Sequence, residues 1–245
     1  MLREKYDDKI ISDFLDNLKE IGVDLSDRQL EQFLIYYEML IETNEKFNLT
    51  AITDFEDVLN KHFIDSLCVA KEEAFLKSNK LIDVGTGAGF PGIPIKIAFP
   101  EKEVFLLDSL GKRVKFLNEV IDRLELQNIS AAHGRAEDFA IKTEYRESFD
   151  VCVSRAVARL SSLCEYCLPF IKVGGNFIAY KSEKAMEEIE EGSKAISILG
   201  GKLDKVGEMN LPGDMGYRSF AFIKKIKNTP KKYPRKAGTP TKEPL

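Results

Sequence analysis

The stretch Asp83-Val84-Gly85-Thr86-Gly87-Ala88-Gly89-Phe90-Pro91-Gly92 decides the fold of this 245-residue chain. It closes a short apolar run, Lys80–Val84, with a glycine-rich turn and leads into a helical stretch. Such a turn lets the backbone approach a ligand closely, and the helix after it offers free N–H groups. Downstream the pattern repeats. Apolar runs at Val104–Leu107, Ile129–His133, Phe149–Val153 and Gly175–Tyr180 alternate with helix-periodic segments, the clearest carrying Val114, Leu117, Ile121 and Leu124. Short apolar strands separated by helices predict an α/β, doubly wound, mostly parallel sheet with crossover helices. Gly201–Glu208 and Tyr217–Lys225 have no helix between them; joined by Asn210-Leu211-Pro212-Gly213-Asp214, they should pair as an antiparallel edge hairpin. Upstream, three helices are expected. Ile10, Ile11, Phe14, Leu15 and Leu18 share one face before Gly22. Ser26 with Gln29 has capping-box spacing and opens a helix burying Leu30, Phe33, Leu34, Tyr37, Leu40 and Ile41. Thr53 with Glu56 repeats that spacing for a third helix running to about Lys77. The expected organisation is a helical extension (1–77), a ligand-binding domain (78–226) and a tail (227–245). The tail is rich in lysine and proline and is expected to be disordered or extended, either solubilising or gripping phosphates.

Composition excludes several classes. Lys+Arg (36) against Asp+Glu (40) leaves a net charge of −4, so any grip on nucleic acid must be local. The longest uncharged stretch, Val84 to Ile95, holds four glycines and two prolines and is too short to span a bilayer. The N-terminus has no apolar signal core, so a cytoplasmic protein without membrane or metal is expected, with a monomer as the default state. Cys164-x-x-Cys167 is read as buried thiols on one helix face, and Cys152 as core.

The ligand follows from the turn. A dinucleotide fingerprint would need a small residue where Phe90 stands, which disfavours an oxidoreductase, and no nucleoside-triphosphate loop is present. The pattern D-x-G-x-G-x-G is instead the usual form in methyltransferases that use S-adenosylmethionine (SAM). Asp108 ends the next strand, 19 residues after Gly89, where a carboxylate can accept both ribose hydroxyls; the alternative is an acid at a helix N-terminus. His133-Gly134-Arg135-Ala136-Glu137-Asp138 holds the place of the loop that meets adenine, or else caps a helix. Arg155, after the fourth strand, is read as a ligand for the methionine carboxylate or a substrate phosphate, against a surface ion pair.

Together these blocks resemble the RsmG (GidB) family of bacterial small-subunit rRNA guanine-N7 methyltransferases. The resemblance rests on Asn48-Leu49-Thr50-Ala51-Ile52, His62-Phe63-Ile64-Asp65-Ser66-Leu67, Asp83 to Gly92, Asp108-Ser109 with Lys112-Arg113 and Phe116-Leu117, Gly134-Arg135-Ala136-Glu137, and Ser154-Arg155-Ala156-Val157. It implies a class I SAM-dependent methyltransferase fold with an N-terminal helical extension, and N7 methylation of guanine 527 in 16S rRNA. It places cofactor contacts on Gly85, Phe90, Asp108, Ser109, Ala136, Glu137 and Arg155, beside the motif residues Asp83, Gly87 and Gly89.

Guanine N7 carries a lone pair and no proton, so its methylation needs alignment rather than a general base. A base in a stacked helix is out of reach, so the target must be flipped, with Phe90 or Arg155 as planar supports. RNA-binding candidates are Lys112, Arg113 and Lys115 on one helix, Lys181 and Lys184, Arg218, and the tail residues Lys231, Lys232 and Arg235. Cutting the tail after Ile226 is expected to weaken RNA binding and spare SAM binding. His62 and Asp65, a helical turn apart, either organise a domain junction, line the crevice or make a packing bond. The competing readings are a SAM-dependent methyltransferase of another substrate and a SAM-binding assembly factor without catalysis.

Overall fold

The computed structural model describes residues 2–155, 158–181, 185–212 and 216–245. Ala156 and Val157 after the fourth strand, Lys184, and Gly213-Asp214 of the hairpin connection lie outside the described residues.

Seven strands form one sheet in the order β3-β2-β1-β4-β5-β7-β6. β1 (Lys80–Val84), β2 (Glu103–Asp108), β3 (Ile129–His133), β4 (Phe149–Ser154) and β5 (Ile171–Lys181) are parallel. β6 (Gly201–Asn210) and β7 (Tyr217–Lys225) are antiparallel, with β7 seated between β5 and the edge strand β6. A register shift between Leu203 and Lys205 puts a bulge in that edge. Strand order reverses between β1 and β4, which opens a crevice beyond their carboxyl ends.

Central strands bury both faces, so their residues alternate between two cores. Leu81, Val104, Leu106, Val151, Val153 and Ile178 face one layer; Ile82, Leu107, Cys152, Phe177 and Ala179 face the other. The first layer holds α1 (Asp8–Glu20), α2 (Asp27–Asn44), α3 (Phe55–Val58), α4 (Asp65–Leu67), α5 (Glu73–Leu76), α6 (Gly92–Ala98) and α7 (Gly111–Arg123). The second holds α8 (Ala136–Phe139), α9 (Leu160–Cys167) and α10 (Ala185–Ile198), with α11 (Thr239–Lys242) against α9. The N-terminal helices therefore share a core with the sheet.

α2 has the expected capping box, with Ser26 and Gln29 bonded reciprocally. Its buried tyrosine is Tyr36 rather than Tyr37, which is half-exposed along with Ile41. The expected third helix is not continuous. Its cap is Asp54, whose side chain accepts from the Asp57 amide, not Thr53. A π-helical segment, Leu59–Ile64, then separates α3 from α4, and a turn at residues 68–72 precedes α5.

The tail is neither disordered nor extended. Tyr233, Thr229 and Pro240 are buried, and Arg146 donates to the carbonyls of Tyr233 (2.9 Å) and Thr229 (2.8 Å). Lys225 is also buried, its ammonium donating to the Leu168 carbonyl. Arg235 clasps the fully buried carboxylate of Glu165 through Nε and Nη2 at 2.7–3.1 Å.

Candidate functional site

The glycine-rich turn is pinned from below by Asp83. Its Oδ2 accepts from Thr86 Oγ1 (2.7 Å) and from the Gly92 amide at the start of α6 (2.8 Å). Its Oδ1 is buried and has no hydrogen-bond partner among the described residues. Burial pushes the Asp83 carboxyl up to about 7. Gly87, at φ +64°, donates its amide to Asp108 Oδ2 (2.9 Å), and a Cβ there would meet open space. Gly89 is constrained from the other side: at φ +107°, a Cβ would lie 2.6 Å from Ile93 Cδ1 and 2.7 Å from the Tyr36 hydroxyl. That hydroxyl donates to the Ala88 carbonyl, so α2 braces the turn.

Asp108 is buried, and its Oδ1 accepts from the Leu110 amide (2.9 Å). Arg113 stands 3.5 Å from its Oδ2. A carboxylate has about four lone-pair sites, so two amide bonds leave capacity for hydroxyls. Asp108 does not cap α7, which begins at Gly111.

Beside this turn lies a cavity of about 230 Å³ lined by Val84, Gly85, Leu107, Ser109, Gly134 to Glu137, Ala158, Leu163 and Tyr166. Of the predicted cofactor residues it gathers Gly85, Ser109, Ala136 and Glu137. Asp83 and Gly89 pack behind the turn. Phe90 points inward, 6 % exposed, with its ring covered by the imidazole of His62 at 4.4 Å; it is no free platform for a base.

A second cavity, about 690 Å³, opens beside the first and shares Ala158 with it. Its lining includes Ile52, Lys61, His62, Asp65, Arg155, Arg159, Tyr180, Lys181, Glu188 and Arg218. The π-helical segment sets this wall. The Asp65 amide reaches the Asn60 carbonyl five residues back, which turns His62 and Asp65 together toward β4 and β7; such insertions are frequent at functional sites. Asp65 is 1 % exposed and bridges two guanidiniums, Arg155 Nη1 at 2.8 Å and Arg218 Nε at 2.6 Å. Arg155 is therefore not a free anion ligand: it and Arg218, both partly exposed, share the buried Asp65 carboxylate. Arg155 also donates to His62 Nδ1 (3.3 Å). A guanidinium only donates, so Nδ1 accepts and Nε2 carries the hydrogen toward Thr50 Oγ1 at 2.8 Å. Burial, and then the Arg155 charge, push the His62 imidazole down to about 4, so it is neutral at pH 7.

The other predicted cations separate clearly. Lys181 is buried and held by Glu188 (2.7 Å) and the Ala158 carbonyl (2.8 Å). Arg235 is committed to Glu165. Lys112, Lys115, Lys231 and Lys232 are exposed. Arg159 and Tyr166 lie on or next to α9 and were not singled out in the sequence; Arg159 sits four residues beyond Arg155, a spacing that could have drawn attention to it. Cys164 and Cys167 are buried with Cys152, burial holding the first two thiols well above their usual range. Among the described residues no group of three potential ligands could hold a metal ion, and no helix is long and apolar enough to cross a membrane.

Known structures share this architecture. The O-methyltransferase from Bacillus cereus in complex with SAH superposes with a TM-score of 0.54 at 17 % identity, covering 77 % of this chain and 90 % of its own. TYW2 from M. jannaschii in complex with AdoMet gives 0.51 at 19 %, covering 66 % and 77 %. The sheet, its reversal point and the turn after β1 thus define a Rossmann-like methyltransferase fold. Sequence comparison narrows the class. Residues 29–213 match the GidB family, rRNA small subunit methyltransferase G. The ribosomal RNA small subunit methyltransferase G of Lachnoclostridium phytofermentans is 56 % identical over 96 % of this chain and 97 % of its own length. That of Clostridium tetani is 55 % identical over 92 % and 95 %. The chain belongs to the rRNA small subunit methyltransferase G (GidB) family.

Proposed function

We propose that this chain, acting as a monomer in the cytoplasm, transfers a methyl group from SAM to N7 of a guanine in 16S rRNA of the small ribosomal subunit. The family resemblance points to guanine 527. The observation that carries the reading is the pair of cavities meeting at Ala158. The smaller one suits a nucleoside: Asp108 at its edge would accept ribose hydroxyls, and the backbone of Ala136 and Glu137 would meet the adenine edge. The open space over Gly87 leaves room for a bulky ligand near the turn. SAM supplies an electrophilic methyl on a sulfonium.

The chain's own contribution is alignment. N7 needs no proton removed, and holding three atoms near a line can supply about 7–11 kcal/mol. The larger cavity would take the flipped guanine with its flanking phosphates. Arg155 offers the planar surface there, since Phe90 is already covered. RNA phosphates would compete with Asp65 for Arg155 and Arg218, while exposed Arg159 would meet a phosphate directly. Neutral His62 keeps Arg155 oriented without adding a charge.

Incubation with tritiated SAM and small-subunit RNA or particles tests this, with the label then mapped by cleavage specific for N7-methylguanine. Label at one guanine N7 is the expected outcome. Label in another substrate, or SAM binding without transfer to RNA, would replace this function with one of the competing ones.

A further inference from the structure

The C-terminal segment runs along the outer side of the two helices whose inner sides wall the smaller cavity. Four contacts fasten it. Arg235 grips Glu165 of α9. Ser162 of α9 donates to the Pro240 carbonyl at 2.8 Å, and the Tyr166 hydroxyl lies 2.7 Å from Thr241 Oγ1. The Gly238 amide donates to Glu137 Oε1 of α8 at 2.9 Å. Glu137 and Tyr166 both line the cavity. α8 is a single turn, Ala136–Phe139, too short to hold its own geometry.

We propose that residues 235–241 form a strap that sets the adenine-side wall of the cofactor cavity. The strap turns the Glu137 carboxylate outward, onto the Gly238 amide. The main chain of Ala136 and Glu137 is thereby presented to the ligand, and the Tyr166 ring is fixed as the opposite side of the slot. Glu137 is in this view a positioning residue rather than an adenine ligand through its side chain. The inference rests on the reading of that cavity as the SAM site and deepens it. It also reverses the expectation that the tail can be lost without effect on SAM binding.

The test is a chain ending at Ala237, which keeps the Arg235–Glu165 clasp and loses Gly238 to Leu245. SAH affinity is measured by calorimetry, and KM for SAM, KM for RNA and kcat by methyl transfer. The Kd for SAH and the KM for SAM should rise about tenfold, the loss expected for one hydrogen bond to a charged group. kcat at saturating SAM and KM for RNA should hold. Gly238→Ala provides a second variant: a side chain at φ +83° strains the backbone and displaces the amide, yet meets nothing within 4 Å. It should weaken SAH binding in the same direction with the fold intact. A lower melting temperature with unchanged SAH affinity in both variants would make the segment a stabilising clamp only and overturn the proposal. If the full-length chain itself fails to bind SAH, the cavity assignment falls instead.

Discussion

Asp83 and His62 are both buried close to the glycine-rich turn and titrate in opposite senses. Asp83 has a folded pKa of about 7 against an ordinary 3.8, so it binds a proton on folding, and its stabilising contribution fades as pH rises from about 4 to about 7. His62, at about 4 against 6.5, releases a proton on folding, so its contribution grows between about 4 and 6.5. The two slopes oppose each other in the native chain. Asp83→Asn keeps the acceptor for Thr86 and Gly92 and should leave a melting temperature that climbs with pH across this window. His62→Gln should leave one that falls. A pH series of thermal unfolding on both variants reads the signs directly. Asp108→Ala should raise the Kd for SAH by the equivalent of about 1.5–3 kcal/mol, and an unchanged value by calorimetry would remove the ribose role. Ala158 lines both cavities, so Ala158→Leu should crowd the SAH site as well as the passage to the larger cavity, and the transfer step is read at saturating SAM. Methyl transfer should fall about a hundredfold, as an ångström-scale misplacement does.

At the scale of elements, local chemistry reached the strands well. The ends of β1, β3 and β7 agree with the apolar runs read from the residues, because each run stops where the turn residues begin. The third helix was less legible. Its apolar spacing looks continuous from residue 53 to 77, and neither glycine nor proline marks the π-helical insertion or the turn at 68–72. The insertion rotates His62 and Asp65 toward Arg155, just past β4, and Arg218 on β7. The partners of Asp65 lie 90 and 153 residues away, so no local pattern could show that Arg155 is already paired. The tail misled for the same reason: its lysines and prolines dominate the composition, while its anchors Glu165 and Arg146 lie in other elements. Truncation after Ile226 takes Arg235 from Glu165 and Thr229 from the buried ammonium of Lys225. A loss of about 3 kcal/mol, typical of leaving a buried charge unpaired, should lower the melting temperature by roughly 6–12 °C for a chain this size. Scanning calorimetry of the shortened protein measures it.

Across the whole molecule, a net charge of −4 must coexist with a grip on polyanionic RNA. The cations facing the larger cavity resolve this unevenly. Arg155, Arg218 and Lys181 are held by acids, whereas Arg159 is exposed. RNA affinity should therefore rest on few phosphate contacts and fall only shallowly with salt. Arg159→Ala should lower the slope of log K against log salt by about 0.7–0.9, the value of one phosphate contact, and leave SAH binding alone. Filter binding at several ionic strengths checks this. The sheet carries a different consequence at its rim. β6 has a neighbour on one side only, and a strand so placed invites a second molecule to extend the ladder. Here the bulge at Leu203–Lys205 kinks the rim, and Lys202, Asp204, Lys205 and Glu208 stud it with exposed charges of both signs. Two molecules meeting rim to rim would find mismatched hydrogen bonds and ions they must strip of water, which disfavours pairing through this edge.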